Sequence, residues 1–229
     1  MKRYGDRCQH PSLLHITAGM TALGVFWVPL VVTKGNRVHR RVGWVYVVAM
    51  FVAAATALSI APIRLLQRPR EGWRAPLFLA YIAVLSFTAA FYGVRVLRQK
   101  KRTDTHRIAI DWVPPCALVA SAVGIAAYGI TSDFRLAVYF APVGLLVALP
   151  QLNALRTKSV AKGWWLVQHL SAMLISCIAT ITAFLVVNAG RFLGAGSHPA
   201  VWLGPTVIGA VLVTYWKRRY SSGAVRPAS

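Results

Sequence analysis

Seven apolar runs, separated by short polar stretches, divide the chain almost from end to end: Leu13–Val32, Val42–Ile63, Ala75–Val94, Trp112–Ile130, Leu136–Leu152, Trp164–Asn188 and Val201–Trp216. None of them alternates apolar with polar positions, which argues for helices and against the strands of a barrel. A helix rises about 1.5 Å per residue, so about 20 apolar residues cross a hydrocarbon core of about 30 Å. The fifth and seventh runs are short and contain Pro142 and Pro205. The pattern therefore predicts an all-α, polytopic transmembrane bundle of seven spans, or six if one short run fails. Residues 1–229 form a single integral membrane domain in this reading.

Composition changes that picture only by fixing the solvent. Hydrophobic residues make up 57% and charged residues 14% of the chain, yet the formal net charge is +21. Such a pairing is at odds with a soluble core and natural for apolar spans joined by basic loops. The basic residues sit at the ends of the runs and not on one face or arm, so anionic lipid headgroups are the expected partner and nucleic acid is not. Seven tryptophans (Trp44, Trp73, Trp112, Trp164, Trp165, Trp202, Trp216) stand near run ends, at the depth an amphipathic indole prefers, and Trp27 alone stands well inside a run.

Counting Lys and Arg gives an orientation. Segments 34–41, 95–111, 153–163 and 217–229 together hold seventeen, and the remaining connections hold nine. The bias predicts an amino terminus outside and a carboxyl terminus in the cytoplasm of a bacterial inner membrane, against which the basic loop Arg64–Arg74 counts. The start, MKRYGDRCQHPS, lacks a small-residue cleavage site, so the first span is expected to be retained. Cys8, Cys116 and Cys177 show no metal-type spacing and read as packing residues.

Chemistry concentrates in the histidines. The first two runs each open with a histidine followed four residues later by a glycine, His15 with Gly19 and His39 with Gly43, so each pair shares a helix face. Small residues beside His15 (Ala18, Gly19, Ala22) allow close helix approach or room for a flat cofactor. His169, one turn inside the sixth run, is followed by Met173, Ser176 and Thr180 on one semi-polar face expected to point into the bundle. His106 precedes an arginine in a basic loop, and Asp111 is placed to pair with Arg107 one turn earlier. A weak echo links NRVHRRVGWV at 36–45 with TDTHRIAIDWV at 103–113, and a third basic loop, RTKSVAKGWW, leads toward His169.

Ionisable side chains within spans are costly and mark functional candidates. In one scheme His15, His39 and His169 ligate haem b, His39 pairing with His169 and His15 pairing with His198 or His10. In a second, His39, His169 and Met173 line a metal or proton route in a carrier, although no span holds the deep carboxylate that a proton-coupled carrier usually requires. In a third, the chain is an accessory or assembly subunit whose histidines hold helices together. Soluble-enzyme chemistry finds no phosphate loop, nucleophile elbow or paired carboxylates.

The stretch HITAGMTALGVFWVPLVVTKGNRVHRRVGWVYVVAM carries His15, Gly19, Lys34, Gly35, His39, Arg40, Gly43, Tyr46 and Met50. It resembles the opening signature of a bacterial family of polytopic membrane proteins of unknown function, and QHLSAM with TAFLVVN (His169, Met173, Thr182, Asn188) is similar to that family's later helix. The resemblance implies a membrane bundle and no particular activity. A fainter similarity, to cytochrome b561-type proteins that pair histidines across helices, implies haem; this sequence departs from them in lacking two clear intramembrane pairs.

Overall fold

The computed structural model describes residues 2–67, 69–100, 108–158, 163–192 and 199–223, and among them every regular element is a helix. In order these are α1 (Lys2–Val25), α2 (Trp27–Val31), α3 (Arg37–Leu66), α4 (Arg74–Arg95), α5 (Ala109–Thr131), α6 (Arg135–Arg156), α7 (Trp164–Phe192) and α8 (Pro199–Gly223). Single 3-10 turns occupy Arg70–Trp73 and Val96–Gln99.

Among the described residues six stretches are long and apolar enough to cross a membrane: Pro11–Val31, Arg37–Leu66, Arg74–Gln99, Ala109–Thr131, Arg135–Arg156 and Trp164–Asn188. The two doubtful runs part company. The fifth becomes a full helix because α6 continues past its apolar residues to Arg156, with Pro142 accommodated inside it. Within α8, Leu203–Trp216 is a shorter apolar stretch among the described residues.

The chain divides into two compact units, Met1–Phe87 with Ser121–Pro142 and Thr88–Ala120 with Val143–Ser229. In the first, α1 lies along α3. Ala18 and Ala22 on α1 and Ala49, Ala53 and Ala54 on α3 are buried, and their small side chains let the two backbones approach. Pro29 has no N–H to offer the preceding turn, and the chain breaks at Phe26 between α1 and α2. Trp27, expected inside a span, stands at that break and is largely exposed.

The turn into α3 is set by Gly35, whose φ of +80° is open to glycine at little cost. Asn36 then caps α3, its Oδ1 accepting the N–H of His39 at 2.7 Å. Elsewhere in this unit Phe78 packs edge-on against Phe140 with centroids 5.3 Å apart, and the Tyr81 hydroxyl donates to the Phe140 carbonyl at 2.9 Å.

In the second unit α7 packs along α8, where a Cβ on Gly209 would strike the Ile178 side chain. Tyr92, Val96 and Ala172 form a core onto which Trp164 and Trp165 close. Gly163, like Gly35, has a φ of +80° and enters its helix from a Lys-Gly step.

Candidate functional site

The three histidines singled out by sequence share one geometric feature. In each, Nδ1 faces a main-chain carbonyl oxygen: His15 reaches Ala53 at 2.9 Å, His39 reaches Pro29 at 3.2 Å, and His169 reaches Gly93 at 2.6 Å. A carbonyl can only accept, so Nδ1 donates, and in the neutral ring Nε2 is then the nitrogen with the lone pair.

His15 and His39 sit at the two ends of the α1–α3 hairpin. Each half of the hairpin supplies one imidazole and one carbonyl, with Pro29 fourteen residues after His15 and Ala53 fourteen residues after His39. Fourteen residues are close to four turns and about 21 Å of rise, so the two donors and two acceptors recur on nearly the same faces. That separation prevents the pair from sharing one metal ion.

At the first end, Thr56 adds to the His15 contact at 3.2 Å while its own hydroxyl donates to Val52 at 2.7 Å. At the other, the Pro29 carbonyl belongs to the last turn of α2, whose carbonyls have no helical partner. Lys34 donates to Pro29 and Leu30 there at 2.8 and 2.6 Å. Burial holds its ammonium group below the ordinary lysine pKa.

Of the small residues expected to allow close approach beside His15, Ala18 and Ala22 are buried, while Gly19, like Gly43 on α3, is not at a contact. A Cβ on either would meet nothing within 4 Å. The approach falls one residue earlier in the helix, on Ala18, because the helix turns Gly19 away from α3. Gly93, on α4, is a glycine that does sit at a close helix contact. A Cβ there would displace the Cε methyl of Met173 and meet Ala172 at 3.3 Å, so glycine leaves room for α7 at the point where His169 reaches the Gly93 carbonyl. His169 and Met173 thus converge on one residue of α4. Ser176 and Thr180, further along the face, are buried.

One turn from that contact lies an ion pair that spacing alone did not reveal. Arg95 Nε and Nη2 reach the two carboxylate oxygens of Asp111 at 2.5 and 2.9 Å, a bidentate pairing across the α4–α5 connection. The Asp111 side chain is 3% exposed. The expected partner, Arg107, lies outside the described residues, as do His106 and His198 and the side chain of His10. A usable signal existed: Arg95 ends one apolar run and Asp111 begins the next, positions a hairpin brings level.

Among the described residues no three His, Cys, Asp or Glu side chains gather closely enough to hold a metal ion by themselves. Cys116 and Cys177 are free thiols, the second buried. His15 and His39 belong to the first unit, and His169 with Met173 belongs to the second.

No curated protein and no solved structure matches the chain. A family model described as predicted membrane protein (DUF2306) matches residues 12–142. That stretch is more than half the chain, includes His15 and His39, and ends before His169; the chain belongs to this family.

Proposed function

We propose that this member of the DUF2306 family of predicted membrane proteins holds b-type haem through histidine and carries electrons in a bacterial inner membrane, its amino terminus outside and its carboxyl terminus cytoplasmic. One observation carries the reading: His15, His39 and His169 each direct Nδ1 at a carbonyl oxygen. Haem iron takes Nε2 of a neutral imidazole, and a second-shell carbonyl on Nδ1 fixes both the tautomer and the ring orientation. The donor chemistry of these residues therefore fits the group. When bound, haem supplies one-electron exchange at its iron. The chain's part is to orient the rings and fix the Nδ1–H tautomer through the carbonyls of Ala53, Pro29 and Gly93. Met173, one turn from His169, is the candidate thioether ligand beside His169 if a bare metal ion is held instead.

A second reading draws on the same bonds. Each of the His15 and His169 contacts also ties one helix to another, α1 to α3 and α7 to α4. Side chains used as helix staples suit a non-enzymatic accessory or assembly subunit, or a small-solute carrier. An absorption spectrum of the full chain, expressed with ample haem and purified in detergent, separates the two. The haem reading expects a Soret band that sharpens on dithionite reduction, and its loss or weakening in His169→Ala and His15→Ala. A colourless protein would sink that reading and leave the accessory one.

A further inference from the structure

Most described basic side chains near helix ends have an internal partner. Arg95 holds Asp111, Arg74 donates to the Ser132 carbonyl at 2.6 Å, Lys100 lies 4.3 Å from the Trp165 ring centroid, and Arg156 lies 6.0 Å from that of Trp112. The first turns of α3 differ. Arg37, Arg40 and Arg41 recur at helical spacing and line one recess of about 370 Å³ together with Trp44. Among the described residues none of the three guanidinium groups has a hydrogen-bond, acidic or aromatic partner. The chain has only five acidic residues against 26 basic ones, so internal counter-charges are scarce.

Trp44 is also the rim of a second depression. An almost wholly apolar groove of about 500 Å³ runs on from it between α1 and α3, over Ala18 and Thr21 on one side and Val45, Val48 and Val52 on the other. Both volumes fall in the range of about 300–1,000 Å³ typical of ligand sites. A trication followed by an indole and then by an apolar trough is complementary to one kind of molecule, a phosphate-bearing amphiphile.

We propose that the amino-terminal end of α3 is a binding site for an anionic phospholipid, its phosphate held by Arg37, Arg40 and Arg41 and one acyl chain laid in the groove between α1 and α3. Guanidinium forks match phosphate oxygens bidentately, and the indole of Trp44 suits the depth where headgroup gives way to chain. From Arg41 to Val52 the helix rises about 16 Å, a length over which a chain can follow the groove.

The test is binding of phosphatidylglycerol and of phosphatidylcholine to the full-length protein in mixed micelles, with inorganic phosphate as a third probe and circular dichroism to follow folding. Wild type should prefer phosphatidylglycerol by on the order of tenfold or more, and the combined Arg37→Gln, Arg40→Gln, Arg41→Gln variant should lose that preference. Val48→Trp fills the groove at a side chain that is 54% exposed, and it should weaken phosphatidylglycerol binding without touching the arginines. Arg98→Gln, a cation outside the recess, should change nothing.

Absence of any preference in wild type, or its survival in a folded triple variant, overturns the proposal. So does inorganic phosphate binding as tightly as the lipid with Val48→Trp indifferent, since that describes a free-phosphate site. Should the triple variant not fold, Val48→Trp decides: weakened lipid binding supports the site and unchanged binding overturns it.

Discussion

The hairpin of α1 and α3 and the α4–α7 contact each present a histidine to a carbonyl, but their surroundings are opposite. Around His15 the helices meet through alanines and the neighbouring glycine faces open space, while at the other end of the hairpin, beside His39, the arginines of α3 find no partner within the described residues. Around His169 a glycine is filled by Met173, two residues beyond it an arginine is locked to a buried carboxylate, and a lysine rests on an indole. Cations of the first kind face outward to whatever the membrane supplies. Those of the second kind are part of the packing. A basic residue near a span end is therefore read by its partner and not by its charge.

Asp111 offers the sharpest way to break this contrast. Asp111→Ala leaves the Arg95 guanidinium beside a buried site with no counter-charge, and about 3 kcal/mol of stability should go. Arg37→Met in the first unit should cost less than about 0.5 kcal/mol. Unfolding midpoints in mixed micelles measure both, and Arg95→Met combined with Asp111→Leu should recover most of the first loss. Equal effects at the two arginines would erase the distinction.

Two glycines give the next largest effect, with opposite signs. Gly93→Ala drives a methyl into Met173 and should destabilise by about 1–3 kcal/mol, relieved by Met173→Ala. Gly19→Ala adds a methyl where nothing lies within 4 Å, and should leave stability unchanged or raise it by up to about 1 kcal/mol. The same unfolding assay reports both. The smallest change is expected at the entry to α3, where Asn36→Ala removes the bond to the His39 N–H and about 1 kcal/mol, seen as added fraying of that helix in amide exchange.

Spans were legible because their signal is one-dimensional: a run of apolar side chains either is or is not long enough to cross. The histidines were legible for a related reason, since a rare ionisable group stands out against an apolar background. Their partners were not. Ala53, Pro29 and Gly93 contribute carbonyl oxygens, and every residue carries one, so no residue type announces it. Gly19 and Gly93 show the same limit from the other side. They are identical letters in similar company, and only the rotation of each helix decides which one meets a neighbour. Asp111 was visible as a charge at a helix start, but the local i,i+4 rule pointed along the helix while Arg95 reaches it across the connection between two helices.

The reciprocal spacing of His15, Pro29, His39 and Ala53 has a mechanical side. A strap buckled at both ends resists sliding differently from peeling. Moving α1 and α2 together along α3 by one residue means a shift of about 1.5 Å and a rotation of about 100°, which would part both buckles in the same step. Prising the hairpin apart from its open end breaks them one after the other, the Ala53 contact at 2.9 Å first and the Pro29 contact at 3.2 Å, beside the connecting turn, last. The pair of helices is thus stiff in shear and weaker in splay, so thickening or thinning of the surrounding bilayer is met by the two tilting together as one beam.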